Sequence, residues 1–337
     1  MNENKNMILT IGIPTYNGSK YIKGMIDSIL IQLSDINQYE LEILISDNAS
    51  TDNTGDIIKE YINEYSTLFS YYRNTENVGG DRNVDNIFKK AKGKFVWICG
   101  DDDEIITGHI KNVLEKIKNN KEISVFFVNA RMYNRDMTKI LEEQVLEIEE
   151  RIYSPDQYYN FVGSNAALIS TIIVRRELWP FNEEINKYTR LDWVTLYKIY
   201  FSLRSGKAYL ISQSCIKYRT GSMRWHKDGK WLGMVLDLCD VLDNITSLGY
   251  SQSITNKHIN ERLKILPITI IDAKKNGLVL SFNLLKNIYL RHANRPSFWL
   301  IDLPLLLLPN QIYKSKVIRW MHRTTKKVYK KLKGKMS

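Results

Sequence analysis

Over its first hundred residues the chain alternates short apolar runs with amphipathic segments, and no other feature narrows the possible folds as far. Residues 7–13, 41–46, 69–73 and 95–99 read as strands, and residues 21–33, 54–65 and 84–91 between them read as helices. Strands joined by crossing helices run parallel. Ile43-Leu44-Ile45 and Phe95-Val96-Trp97-Ile98 are apolar toward both faces, as strands covered by helices on both sides must be. The expected fold class is therefore α/β, a Rossmann-like, mostly parallel sheet flanked by helices. Ligands bind such sheets outside the carboxyl ends of the strands, so the residues that follow each strand carry the function.

Those residues are polar and distinctive. Pro14-Thr15-Tyr16-Asn17-Gly18 follows the first strand and Asp47-Asn48-Ala49-Ser50-Thr51-Asp52 the second; Asn77-Val78-Gly79-Gly80-Asp81-Arg82-Asn83 follows the third and Gly100-Asp101-Asp102-Asp103 the fourth. Turn chemistry accounts for each loop taken singly, and Asp52 reads as a residue at a helix N-terminus. Turns alone do not call for three adjacent carboxylates. Such a run ionises cheaply only beside a cation, and hard oxygen ligands select Mg²⁺ or Mn²⁺. That kind of ion takes one or two carboxylates together with substrate phosphates, which makes a nucleotide diphosphate the expected partner. Asp47 is placed to accept from a base N–H, and Arg82 to pair with a phosphate or with Asp47 itself. The chain has neither a G-x-x-x-x-G-K-[ST] loop nor a G-x-G-x-x-G turn, so ATPase and dinucleotide oxidoreductase readings lack their phosphate grips.

Beyond residue 120 the alternation loosens. Residues 123–129 and 167–174 read as strands and 153–161 and 193–203 as helices, which suits an acceptor-binding half; helices at 234–248, 256–275 and 282–292 follow. The net charge of +11 is local. Ten Lys and Arg and no acidic residue lie between Leu303 and Ser337, leaving 48 − 10 = 38 basic against 37 acidic residues elsewhere. Tyr313, Val317, Trp320, Met321, Val328 and Leu332 recur there at mostly helical spacing, the pattern of a basic amphipathic helix lying on an anionic membrane. The near-neutral body gives nucleic-acid binding no support. The apolar run 298–308 holds Asp302 and Pro304 and is shorter than the roughly 20 residues of a spanning helix. Cys99, Cys215 and Cys239 have no metal or disulfide spacing, and the N-terminus lacks signal-peptide character, so a reducing cytoplasm is expected.

Pro14-Thr-Tyr-Asn17, Ser46-Asp-Asn-Ala-Ser-Thr-Asp52, Asn77-Val-Gly79 with Arg82-Asn83, and the run Asp101 to Asp103 together resemble family 2 glycosyltransferases of the GT-A fold. Ile-Ser-Asp-Asn-Ala-Ser-Thr-Asp, Gly-x-Asp-Arg-Asn and Trp-Ile-x-Gly-x-Asp-Asp look most like the abequosyltransferase-type enzymes of bacterial O-antigen assembly. The match is dense over the first 110 residues or so, looser to about Leu203 and faint beyond. It implies a GT-A domain at 1–225, with a nucleotide-binding half at 1–110 and an acceptor half at 111–225. A helical extension at 226–302 and the basic, membrane-associating tail at 303–337 would follow.

The implied reaction is an inverting transfer of a sugar from a nucleotide-diphosphate donor to a hydroxyl of a lipid-linked saccharide. It would serve O-antigen or other surface-polysaccharide synthesis at the inner face of the cell membrane, with an acceptor carried on a polyprenyl lipid. The resemblance places Thr15 and Asp47 at the nucleoside, Arg82 at the base or diphosphate, and Asp101 with Asp102 as the Mn²⁺ or Mg²⁺ pair. Asp103 completes the metal run, and Pro14, Tyr16, Asn17, Asn48, Asn77 and Gly79 line the donor side. The family commonly has Asp where this chain has Gly100 and begins its D-x-D there, so the frame is shifted here and Asp102 is the first ligand expected. The base that takes the acceptor's proton falls on Asp192, which otherwise reads as a helix cap; Leu191 stands where the family has a glutamate. Arg219-Thr-Gly-Ser-Met-Arg-Trp-His226 reads as a lid, with Arg224 neutralising the leaving group and His226 near the metal or diphosphate. Asp47 suits a pyrimidine donor. A nucleotidyltransferase, or a catalytically silent membrane-bound sugar-nucleotide binder, are the alternatives.

Overall fold

The computed structural model describes residues 7–181, 193–221 and 230–315. The chain runs β1 (Leu9–Thr15), α1 (Ile22–Leu30), β2 (Leu41–Asp47), α2 (Thr54–Glu64), β3 (Phe69–Arg73), α3 (Gly80–Lys90), β4 (Phe95–Ile98), β5 (Glu104–Ile105) and α4 (His109–Asn119). There follow β6 (Val125–Tyr133), β7 (Ile140–Glu142), β8 (Arg151–Tyr153), α5 (Pro155–Val162), β9 (Ile172–Arg175), α6 (Val194–Leu203) and β10 (Ala208–Arg219). The helices α7 (Lys230–Ile245), α8 (Gln252–Lys264), α9 (Leu266–Lys275), α10 (Phe282–His292) and α11 (Leu303–Leu307) complete the described chain.

One sheet, ordered β3-β2-β1-β4-β9-β6-β10-β5, takes all ten strands, with β7 on β6 and β8 on β10. β1 pairs parallel with β2 and β4, β2 with β3, and β6 with β10. β9 lies antiparallel to both β4 and β6, so these two reversals cancel and β6 and β10 run in the direction of β1 to β4. The carboxyl ends of six strands therefore open on one edge. Register does the rest: Thr15 is paired with Asp47, and Asp47 with Arg73, which sets three polar side chains in a row at the end of three apolar strands. Leu9, Ile11 and Ile13 pack with Ile22, Met25, Ile26 and Ile29 of α1, the alternation a two-faced sheet requires.

The mixed, mostly parallel sheet flanked by helices agrees with the expected fold class, and the differences have local causes. The helix expected over 256–275 is two, because Pro267 lacks an N–H and sits in the first turn of α9, where the ring is tolerated. The strand expected from Ala167 begins only at Ile172, after two 3-10 turns at Gly163–Ala167 and Ile169–Thr171. α3 starts at Gly80 rather than Val84, which places Asp81, Arg82 and Asn83 on a helical first turn. The long strand β10 escapes a periodicity reading because its pairing with β6 shifts register across Ile211, Ser214 and Ile216, breaking the alternation of faces.

The chain divides into two compact units, Met1–Ser222 with Ile245–Ser251, and Met223–Asn244 with Gln252–Ser337. The first holds the sheet. The second has its own core of Leu232, Leu236, Leu263, Leu266, Ile270, Phe298 and Leu306, so residues just beyond 302 pack with the helices before them. Among the described residues no helix is long and apolar enough to cross a membrane.

Candidate active site

The end of β1 is tied to the end of β4. The Thr15 hydroxyl donates to Asp101 Oδ2 at 2.5 Å, and both residues are buried. Gly18 makes this approach possible, since a Cβ there would lie 2.2 Å from Asp101 Oδ2 and 2.4 Å from Thr15 Oγ1. The next residues start α1, with the Gly18 carbonyl accepting from the N–H groups of Tyr21 and Ile22.

Asp47 is fully buried at the end of β2. Its Oδ1 accepts from the Ser50 N–H at 2.8 Å, and its Oδ2 from the Tyr71 hydroxyl at 2.9 Å and from Arg73 Nη1 at 3.4 Å. Burial and the neighbouring carboxylate push the Tyr71 hydroxyl up to about 12, so it remains a donor. The cation on Asp47 is thus Arg73, whereas Arg82 is exposed on the first turn of α3. Both oxygens are engaged and the side chain has no exposed surface, so Asp47 braces the end of β2 from within.

Amides knit the loops after β2 and β3. Asn48 donates to Asn77 Oδ1 at 2.7 Å and accepts from the Val78 N–H at 2.9 Å and from Asn74 Nδ2 at 3.0 Å. Asn83 donates to the Ser46 carbonyl at 2.8 Å and accepts from its hydroxyl at 2.7 Å. Asn17 Oδ1 accepts from the Thr51 N–H at 2.7 Å. Asn17 and Ala49 both have left-handed backbone, φ 52° and 62°, a conformation that costs an alanine about 1 kcal/mol or more and persists because these bonds over-determine the loops. Tyr16, Asn77, Gly79 and Arg82 remain exposed along the rim, while Pro14 is half-buried. Asp52 fills its structural role, accepting from the Thr54 N–H at the start of α2 and from the Ser19 hydroxyl.

The three aspartates do not converge. Asp103 is buried, with Oδ2 accepting from the Ser170 hydroxyl at 2.5 Å and Oδ1 from the Arg219 N–H at 2.8 Å. Burial, and then the charge of Asp102, raise its carboxyl well above the usual range. Asp101 turns to Thr15. Asp102 is the least buried of the three, and Arg219 Nε donates to its carbonyl at 2.7 Å. Among the described residues no three His, Cys, Asp or Glu gather around a point that would hold a metal ion, and the Thr15 hydroxyl, the Ser170 hydroxyl and the Arg219 N–H pair with Asp101 and Asp103. A hard divalent ion suits the chemistry of this loop, and Asp102, the most exposed of the three carboxylates, is the residue that would meet it. Gly100 packs closely on this loop, since a Cβ there would stand 3.1 Å from Asp102 Oδ1 and 3.4 Å from Asp103 Oδ2; phosphates and water would complete an ion's shell.

α6 is anchored to α3. Asp81 accepts from the N–H groups of Val194 at 3.3 Å and Thr195 at 2.8 Å, and Lys198 Nζ reaches Asp85 at 2.6 Å. Trp179 donates to Asp85 at 2.9 Å and stacks on Phe88 with centroids 3.8 Å apart. Trp193, left-handed at φ 79°, precedes this helix. Asp192, Arg224 and His226 lie outside the described residues, as does the tail beyond residue 315.

Sequence reasoning missed Ser170, Tyr71, Arg73 and the capping role of Asp81. Asp81 and Asn83 stand inside the Gly-x-Asp-Arg-Asn motif, and that was their signal. Ser170 had none, because a lone serine before a short strand shows no partner until β9 is paired with β4.

The comparisons with known proteins agree with this fold. Residues 10–176 match the model of Glycosyl transferase family 2. Abequosyltransferase RfbV of Salmonella typhimurium is 26% identical over 270 residues, covering 76% of this chain and 80% of that protein. A Campylobacter jejuni GalNAc(5)-diNAcBac-PP-undecaprenol beta-1,3-glucosyltransferase is 26% identical over 192 residues, 56% of this chain and 60% of the relative. Among solved structures, S. aureus TarS 1-349 in complex with UDP-GlcNAc superposes with a TM-score of 0.57 at 16% identity over 89% of both chains. The mannosyltransferase PcManGT from Pyrobaculum calidifontis, in complex with GDP-Man and Mn²⁺, gives 0.52 at 14% identity over 96% of this chain and 85% of that one.

Proposed function

With residues 10–176 a glycosyl transferase family 2 domain as the premise, we propose that this chain transfers a sugar, with inversion, from a nucleotide-diphosphate donor to a hydroxyl of a lipid-linked saccharide. The acceptor would belong to O-antigen or another surface polysaccharide, and the chain would work peripherally at the cytoplasmic face of the membrane, held by its basic tail. One observation carries the reading: four consecutive parallel strands deliver Thr15, Asp47, Arg73 and the Asp101 loop to one edge, where the Thr15 to Asp101 bond ties the loops together.

In this reading the buried net shapes the site and the exposed rim of Tyr16, Asn77, Gly79 and Arg82 meets the donor. A divalent ion on Asp102 would supply charge neutralisation for the departing diphosphate. The acceptor oxygen attacks the anomeric carbon, the bond from that carbon to the phosphate oxygen breaks, and its electron pair leaves with the nucleoside diphosphate. Asp192 accepts the hydroxyl proton as the new bond forms. Asp81 fixes the first turn of α6, which begins two residues after Asp192. The TarS structure holds a uridine nucleotide and the mannosyltransferase a guanosine nucleotide with Mn²⁺, so the fold accepts both base classes; a pyrimidine donor is the one proposed here.

The test is calorimetric titration of UDP, dTDP, CDP and GDP, each with and without Mn²⁺, into wild type and Asp102→Ala. Metal-dependent binding of one diphosphate, lost in the variant, is expected and names the donor class for turnover assays with product detection. Binding without turnover on any acceptor points to the silent sugar-nucleotide binder. Failure of every nucleotide to bind overturns the site.

A further inference from the structure

In the second unit, residues 296–309 expose an apolar surface free of charge. Pro296, Ser297, Trp299, Leu300, Ile301, Pro304, Leu307 and Pro309 are all exposed, Leu300 at 77% and Leu307 at 60%. The segment's one ionisable side chain, Asp302, is buried at 4%. Phe298 and Leu306 point inward and anchor the surface to the core, while the ring of Tyr289 on α10 lies 6.1 Å from that of Trp299 and extends it. Soluble surfaces scatter single apolar residues; a continuous stretch that excludes charge is built for a partner.

The flanking sequence selects the partner. Lys314, Lys316 and Arg319 follow within ten residues of Pro309, and ten Lys and Arg with no acidic residue stand between Leu303 and Ser337. Two copies meeting here would bring two such basic runs together, which disfavours self-association. An anionic bilayer satisfies both halves of the pattern, taking Leu and Ile into the acyl region and Trp and Tyr at the headgroup level, with phosphates facing the cations. Fourteen residues interrupted by three prolines are too short to span.

We infer that residues 296–309, centred on Trp299, Leu300 and Leu307, insert shallowly into an anionic lipid bilayer and dock the second unit on it. This deepens the peripheral-membrane reading and rests on it; the tail supplies attraction, and this segment supplies depth.

The full chain is tested on vesicles of phosphatidylglycerol with phosphatidylethanolamine, against vesicles of phosphatidylcholine alone. Wild type is expected to sediment with the anionic vesicles and to keep part of that binding at high salt, where a purely electrostatic contact is screened away. Leu300→Asp with Leu307→Asp is expected to weaken binding about tenfold or more, with nucleotide binding unchanged as the check on folding. A polarity-sensitive fluorophore on Leu300→Cys should shift to the blue on vesicles and be quenched from within the bilayer, whereas one on exposed Tyr39→Cys should not; the three native cysteines are buried. Vesicle binding without a shift at position 300, or equal binding by the double variant, overturns the insertion and leaves the tail's role standing. No vesicle binding overturns both. A concentration-dependent dimer without lipid, abolished by the double variant, makes the surface an interface between copies and also overturns it.

Discussion

Replacing Gly18 with alanine should break the link between β1 and β4. The added Cβ would stand 2.2 Å from Asp101 Oδ2 and 2.4 Å from Thr15 Oγ1, where ordinary contact begins near 3.4 Å, so both must retreat by about 1 Å. The hydrogen bond between them, 2.5 Å long and buried, does not survive that displacement. A buried hydrogen bond is worth roughly 0.5–1.5 kcal/mol, and the same energy felt in the site corresponds to about a twofold to tenfold loss of nucleotide affinity. Gly24 is the control, since a Cβ there meets Glu104 Oε1 only at 3.4 Å on the surface of α1. Gly24→Ala should stabilise by about 0.5–1 kcal/mol through helix propensity and leave binding untouched. Urea unfolding gives the first quantity and calorimetric titration with Mn²⁺ the second; Thr15→Val, which deletes only the hydroxyl, covers the case of a variant too unstable to titrate. Equal unfolding midpoints and equal affinities for wild type, Gly18→Ala and Thr15→Val would refute the idea that this bond holds the metal loop.

Asp81→Ala should cost about 1–3 kcal/mol in unfolding experiments, because it strips the first-turn N–H groups of α6 of their acceptor. In turnover assays it should lower kcat well before it lowers nucleotide affinity, and the reverse order would contradict a role confined to the start of α6. Asp302 has its carboxyl raised by burial to about 6, partly opposed by Arg295. The folded state therefore prefers the protonated form; no penalty is felt below the ordinary value of about 3.9, and stability falls as pH rises through about 6, by up to about 3 kcal/mol. Unfolding of Asp302→Asn across that window should show a flatter pH dependence than wild type, and parallel curves would remove Asp302 as the cause.

Where the polypeptide's own chemistry sets structure locally, the sequence is legible. Phe69–Arg73 and Phe282–His292 begin and end where their periodicity says, and the carboxyl edge of β1 to β4 was readable because parallel strands leave little freedom in where polar loops fall. What was not legible depends on pairing across distance. Asp47 offered itself as a group for a nucleotide base, but the register that puts Arg73 and Tyr71 beside it could not be known before β3 was docked on β2. Three consecutive aspartates point to a divalent ion, but the pairing of Asp101 with Thr15, and of Asp103 with Ser170 and the Arg219 N–H, depends on strands brought together from a distance. β10 was missed for a related reason, since its irregular register is imposed by β6 and leaves no alternation of its own.

Gly100 decides how that metal loop should be understood. Family 2 enzymes commonly carry an aspartate there, and the simplest engineering idea is that restoring it adds a ligand. The local geometry argues otherwise. A Cβ at this position would sit 3.1 Å from Asp102 Oδ1 and 3.4 Å from both Asp103 Oδ2 and Ser170 Oγ, tighter than most such contacts. A further carboxylate there would also face Asp103, whose carboxyl is already raised by burial and by Asp102. Gly100→Asp should therefore lose about 1–2 kcal/mol of stability from crowding and repulsion, with no gain in Mn²⁺-dependent nucleotide affinity, and Gly100→Ala should show the smaller, steric part alone. Calorimetric titration of both variants decides the matter. If Gly100→Asp binds the metal-nucleotide pair about tenfold more tightly than wild type, position 100 supplies a ligand and the added carboxylate, rather than Asp102, leads the metal site. If affinity is flat or falls, this loop works with a reduced set, in which Asp102 meets the ion and its two neighbours hold the loop to β1 and β10.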